Sequence, residues 1–125
     1  MAVASITSGF PLPPISASTA LVVEHVGRKT GRTRRTPMGF AKGSADSVDV
    51  VAEHGEHSDW VKNALLAGEV QVWIGGKRFR GKPALDPDRD PEDVWKNMRS
   101  RSVAAFARFL SSEPKVVHIT LEPLP

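Results

Sequence analysis

Apolar and polar positions alternate along this chain in short runs, broken by turns that carry glycine or proline. Residues 19–26 hold Leu21, Val22, Val23 and Val26, a β-branched run that predicts a first strand. Residues 33–41 predict a second. Pro37 inside it predicts an edge, a bulge or a place where a ligand nears the backbone. Val48, Val50 and Val51 centre a third strand over residues 47–53. Ser58 or Asp59 then caps a short helix over residues 60–67, ended by Gly68. Val70, Val72 and Ile74 alternate with Gln71 and Trp73, the pattern of a half-buried strand. Gly75-Gly76 predicts a tight hairpin, with residues 77–85 pairing back and Phe79 pointing inward.

Helical spacing takes over afterwards. Asp90 as N-cap, Pro91 at the first helical position and acids in the first turn start a helix. Val94, Trp95, Met98, Val103, Phe106, Phe109 and Leu110 predict one long helix to about residue 110, with Phe106 and Phe109 on its core face. Residues 116–121 alternate again and predict a last strand. The sum is a mainly β (α+β) domain: a small antiparallel barrel of about six strands with one short and one long helix. Residues 1–18, with Pro11, Pro13 and Pro14, predict a loose arm, and residues 19–125 the domain.

Composition narrows the function classes. A chain of 125 residues with 40% hydrophobic residues supports one core. Cysteine is absent, which excludes disulfides and thiol chemistry. No apolar run has the length of a membrane span, and residues 1–18 lack the pattern of a secretory signal, so a cytoplasmic location is expected. Net charge is only +3, yet the charges are segregated. Residues 27–35 and 77–82 are basic, and residues 86–93 are acidic. A local basic cluster with modest net charge predicts a specific anionic ligand and no nucleic-acid partner.

The densest basic cluster lies in the turn between the first two strands. Arg28, Lys29, Arg32, Arg34 and Arg35 surround Gly27 and Gly31. Exposed backbone N–H groups beside cationic side chains suit a phosphate or carboxylate tail, and an arginine fork takes two oxygens at once. The competing reading is a solvated hairpin tip, charged to resist edge pairing. Residues 53–57 (Glu-His-Gly-Glu-His) match no zinc spacing, so no metal is assigned, and His54 is read as a ligand donor. His25 and His118 read as structural. Trp73 and Trp95 read as barrel-wall or core residues. No nucleophile elbow is present, so any catalysis falls to a bound cofactor.

Taken in order, Gly27-Arg28-Lys29-Thr30-Gly31-x-x-Arg34-x-x-Pro37-Met38, then Val50-Val51-Ala52, then Trp60-x-x-Asn63, then Val70-x-Val72-x-Ile74-Gly75-Gly76-x-x-Phe79-Arg80 resembles the deazaflavin-dependent nitroreductase family. The resemblance covers roughly residues 19–121. It implies an actinobacterial type of split β-barrel, related to FMN-binding barrels, that binds coenzyme F420. It also implies a reductase that passes hydride from the reduced deazaflavin to an electron-poor small molecule: a quinone, an enone or a nitro compound. By position it implies that Arg28, Lys29, Thr30 and Arg34 approach the anionic tail. Pro37, Met38, Ala52 and His54 would lie along the ring, and Trp60 would wall it. Glu53, His54 and Phe106 become substrate-pocket candidates. The chain has no tyrosine, whereas that family's nitroreductase lines its substrate pocket with tyrosines; Phe106 is the nearest counterpart. The alternatives are a non-catalytic F420 carrier and an FMN-binding flavoprotein, and a homodimer is left open.

Overall fold

The structure, a computed structural model, describes residues 20–98 and 100–124. The arm expected at residues 1–18 lies outside the described residues. Ten elements follow in chain order: β1 (Ala20–Val26), β2 (Thr33–Gly39), β3 (Ala41–Lys42), β4 (Ser47–Ala52), α1 (Asp59–Ala67), β5 (Val70–Ile74), β6 (Lys77–Asp86), α2 (Pro91–Trp95), α3 (Arg101–Leu110) and β7 (Lys115–Pro123). A single 3₁₀ turn, Gly55–His57, leads into α1.

All pairings are antiparallel, in the order β2-β1-β5-β6-β7-β4-β3. The two outermost strands, β2 and β3, are separated in the chain only by Phe40. The sheet therefore has to curl until its first and last edges meet, which makes the half-barrel. Phe40 is buried at that seam. Pro37 falls on an edge strand, as its missing N–H requires. Pro83 is tolerated within β6 because β5 pairs only as far as Gly81; beyond that point β6 has a neighbour on one side, β7.

Alternation fills the inside of the curl. Leu21, Val23, Val48, Val50, Val72, Phe79, Val117 and Ile119 are all essentially inaccessible and pack as one cluster. β4 is buried along its whole length. Its residues Val48, Val50 and Ala52 face the barrel, while Val51 joins a second cluster with Val94, Trp95, Ala104, Ala107 and Val116. This two-sided burial explains why β4 reads as a continuous valine run. On the same outer face, buried Asp49 accepts from His118 Nδ1 at 2.7 Å and from Arg89 Nη1 at 3.1 Å, tying the approach to α2 onto the sheet. His118 is structural, as expected.

The turns have local causes. Gly75 and Gly76 both have positive φ, 56° and 80°, the geometry a two-residue hairpin turn prefers. Gly68 ends α1 in the left-handed conformation and donates its N–H to Ala64 O at 2.9 Å. Asp90 caps α2 by accepting from the Glu92 N–H at 2.9 Å.

Two expectations about the long helix are corrected. It is broken: α2 stops at Trp95, and α3 begins afresh with Ser100 as N-cap, accepting from the Val103 N–H at 3.2 Å. A serine at that point offers the backbone a cap in place of continued helix. The phenylalanines are also not its core face. Phe106 and Phe109 are 64% and 84% exposed, and Ala104 and Ala107 are the residues that α3 buries. Small side chains let the helix lie close, and Gly39 extends this: a Cβ there would meet Val103 Cγ1 at 2.9 Å.

Candidate cofactor and substrate site

The face where β1, β2, the end of β4, α1 and α3 converge holds a cavity of about 600 Å³. Its walls include Trp60, Trp95, Met38, Met98, Val103 and Phe106. That size is typical of a small-molecule site, and so is a mostly apolar wall with few polar groups. β2 supplies Arg34, Thr36 and Met38 to it, alternate residues of one strand face, with Pro37 and Gly39 along the strand. Glu53 and His54 enter from the end of β4, and His54 is exposed.

A second hollow of about 220 Å³ lies under the basic turn, lined by Gly27, Arg28, Lys29, Thr30, Arg34, Asp59 and Asn63. Arg34 and Asp59 line both hollows, so the two are neighbours. The turn is tight: Gly27 N–H donates to Arg32 O and Gly31 N–H to Gly27 O, both at 2.8 Å. Gly31, at φ 72°, takes a conformation that other residues adopt only with strain.

The cations of this turn do different work. Arg28 is drawn onto α1. Its backbone N–H and its Nη1 both donate to Asn63 Oδ1, at 3.1 and 2.8 Å, and Nη2 reaches Asp59 Oδ1 at 3.3 Å. Lys29 and Arg34 have no ion pair among the described residues, and both line the small hollow. Arg35 faces away from it, bonded to Glu24 at 2.9 Å and lying over Trp73.

The structure brings Arg34, Pro37, Met38, Glu53, His54, Trp60 and Phe106 to the large cavity, and Arg28, Lys29 and Thr30 to the small one. Ala52 lines neither. Its side chain is fully buried in the barrel core, opposite Lys115 of β7. Two residues without an expected role are at the centre. His25, taken as structural, lines the large cavity while 6% exposed, with Nε2 3.0 Å from Thr36 Oγ1. Its Nδ1 is 3.1 Å from Asn63 Nδ2. Burial, and secondarily the charge of Arg34, hold the imidazole below its ordinary 6.5. Asn63 stands in the Trp60-x-x-Asn63 motif, but its partners, at positions 25 and 28, lie in another element.

A flat ring with an anionic tail fits this arrangement. Indole, thioether and aliphatic walls stand beside a hollow lined by two cations, Lys29 and Arg34, that have no ion pair among the described residues. Residues 6–118 match the model of the F420H2-dependent quinone reductase family. The chain belongs to that family. Its cofactor is coenzyme F420, and the family's chemistry is that of an oxidoreductase. No curated protein matches the chain by sequence.

Among solved structures, the F420-H2 dependent reductase FDR-A is 19% identical, with 83% of this chain and 94% of that one covered and a TM-score of 0.58. Rv2991 of Mycobacterium tuberculosis, a conserved hypothetical protein, is 14% identical, with 98% and 81% covered and a TM-score of 0.62. General stress protein 26 of Bacillus anthracis is 13% identical, with 86% and 82% covered and a TM-score of 0.62. At these identities the likeness shows the shared split-barrel fold. No helix among the described residues is long and apolar enough to cross a membrane.

Proposed function

We propose that this family member reduces a quinone-type ring, with the basic hollow gripping the tail of F420 and the large cavity taking its ring and the acceptor together. The observation that carries this is that Arg34 and Asp59 line both spaces, which sets a cationic hollow directly beside an aromatic-walled cavity. When bound, the reduced deazaflavin supplies a hydride to the acceptor.

The chain's own residues do the rest. Lys29 and Arg34 neutralise the tail. Each charge-assisted contact is worth ~1.5–3 kcal/mol when shielded, and less at this open rim. Arg28 serves chiefly to pin the turn on α1, so that the hollow keeps its shape. Trp60 and Met38 form the wall along the ring, and any contribution of Ala52 comes from its backbone. Phe106, exposed yet on the cavity wall, gives the acceptor an apolar face in the absence of tyrosine. That face suits a quinone better than a polar nitroheterocycle. Glu53 and His54, at the same rim, are the groups placed to return a proton to the reduced acceptor.

The test is a titration with oxidised and reduced F420, followed by turnover with menadione, a nitroaromatic and cyclohexenone. Saturable binding is expected, weakened at least tenfold in an Arg28→Ala, Lys29→Ala, Arg34→Ala triple variant, with menadione reduced fastest. Equal affinity in the triple variant would overturn the tail assignment. Binding without any turnover would favour the carrier alternative.

A further inference from the structure

The hydrogen bonds around His25 have a polarity that the geometry leaves no freedom to reverse. Asn63 Oδ1 lies 3.1 Å from the Arg28 backbone nitrogen and 2.8 Å from Arg28 Nη1. Both are donors, so the atom between them is the amide oxygen, and the amide nitrogen faces His25. That nitrogen donates to Nδ1 across 3.1 Å, and Nδ1 therefore holds a lone pair. A neutral imidazole has one N–H, which falls on Nε2 and donates to Thr36 Oγ1 at 3.0 Å. The opposite polarity would set the amide N–H against two arginine donors.

Thr36 thus accepts from His25 and has its own hydrogen left to give. No acceptor for it exists among the described residues, and Thr36 lines the large cavity between Arg34 and Met38. Resting on the function proposed above, we propose that the Thr36 hydroxyl is a specificity-determining donor aimed into the cavity, its direction set by the relay Arg28–Asn63–His25. It selects an occupant that presents a carbonyl oxygen or an unprotonated ring nitrogen at that wall. The dione edge of a flavin-type ring carries both. Asn63 and His25 are positioning residues: they hold the proton on Nε2 and keep Thr36 a donor.

The relay links the two halves of the site. The arginine that pins the tail-binding turn also orients, through two side chains, a donor on the ring side. A turn displaced from α1 would release Asn63, and the imidazole could then take either tautomer.

Binding of oxidised F420 to the full chain tests this, with Thr36→Val and Thr36→Ser beside the wild type. One neutral hydrogen bond corresponds to about tenfold in affinity. Thr36→Val is expected to bind roughly tenfold more weakly, and Thr36→Ser within about twofold of wild type. Imidazole ¹⁵N spectra of the unliganded wild type should show His25 neutral at pH 7 with its proton on Nε2. If wild type binds and Thr36→Val binds equally well, the donor assignment falls while the cofactor reading stands. If wild type does not bind F420, both fall. A proton on Nδ1, or a charged ring at pH 7, overturns the relay whatever the binding shows.

Discussion

Replacing Asn63 by alanine should destabilise the fold far more than its size suggests. The side chain is 4% exposed and sits in three hydrogen bonds. Its loss strands the Arg28 backbone N–H and His25 Nδ1, two neutral partners at ~1 kcal/mol each. It also removes one bond to the Arg28 guanidinium, nominally ~1.5–3 kcal/mol. That side chain is 21% exposed, so water restores part of the contact. The sum is ~2–4 kcal/mol, or roughly 10 °C in melting temperature for a domain of this size. Urea and thermal unfolding followed by tryptophan fluorescence measure it. Asn63→Asp separates the two halves of the effect. It keeps acceptors for Arg28 but has no donor for His25, so the imidazole should recruit a proton, visible in its ¹⁵N shifts. An alanine variant that loses less than ~0.5 kcal/mol, the level of an ordinary surface change, would refute the idea that this amide fastens the basic turn to α1.

Two further outcomes are expected. Phe106→Ala should raise the acceptor KM several-fold with little change in stability, whereas Phe109→Ala, more exposed and off the cavity wall, should alter neither; steady-state kinetics with menadione that treat the two alike would remove Phe106 from the acceptor site. The pH dependence of stability should carry a His25 component. Its folded pKa lies below the unfolded 6.5, so the unfolded chain takes the proton first as pH falls, and this contribution declines below about 6.5 and levels off past the folded value. Arg34 across the strand pair and Arg28 beyond Asn63 are the cations facing it. A His25→Gln variant should lose that part of the slope between about pH 8 and 5, and parallel profiles would contradict the assignment.

The strands were legible because each has a short-range cause. A β-branched run marked β1, alternation marked β5 and β7, the paired glycines marked the β5–β6 turn, and an edge was one of the three readings Pro37 left open. The helix break was missed by the one-helix reading, although the sequence carries a weak signal of it. The apolar stripe runs 94, 95, 98 and then 103, a five-residue step that a continuous helix face does not make. The outward phenylalanines were not legible, since periodicity shows a stripe but not which neighbour can approach it; Gly39 and two alanines decide that. On the site, the cationic turn and its motif pointed to the surface where the two hollows lie. The unequal duties of its arginines did not show, because Arg28 meets Asn63 across 35 positions and His25 meets it across 38. Such pairings exist only once the barrel has formed.

Both rims of the curled sheet are written in one stretch of ten residues, Thr33 to Lys42, hinged at Phe40. The strand that lines the large cavity is therefore also the clasp that closes the barrel. Evolution cannot lengthen or re-aim the one without reopening the other. Changes in substrate range should instead accumulate on α3, which borders the same cavity but takes no part in the clasp.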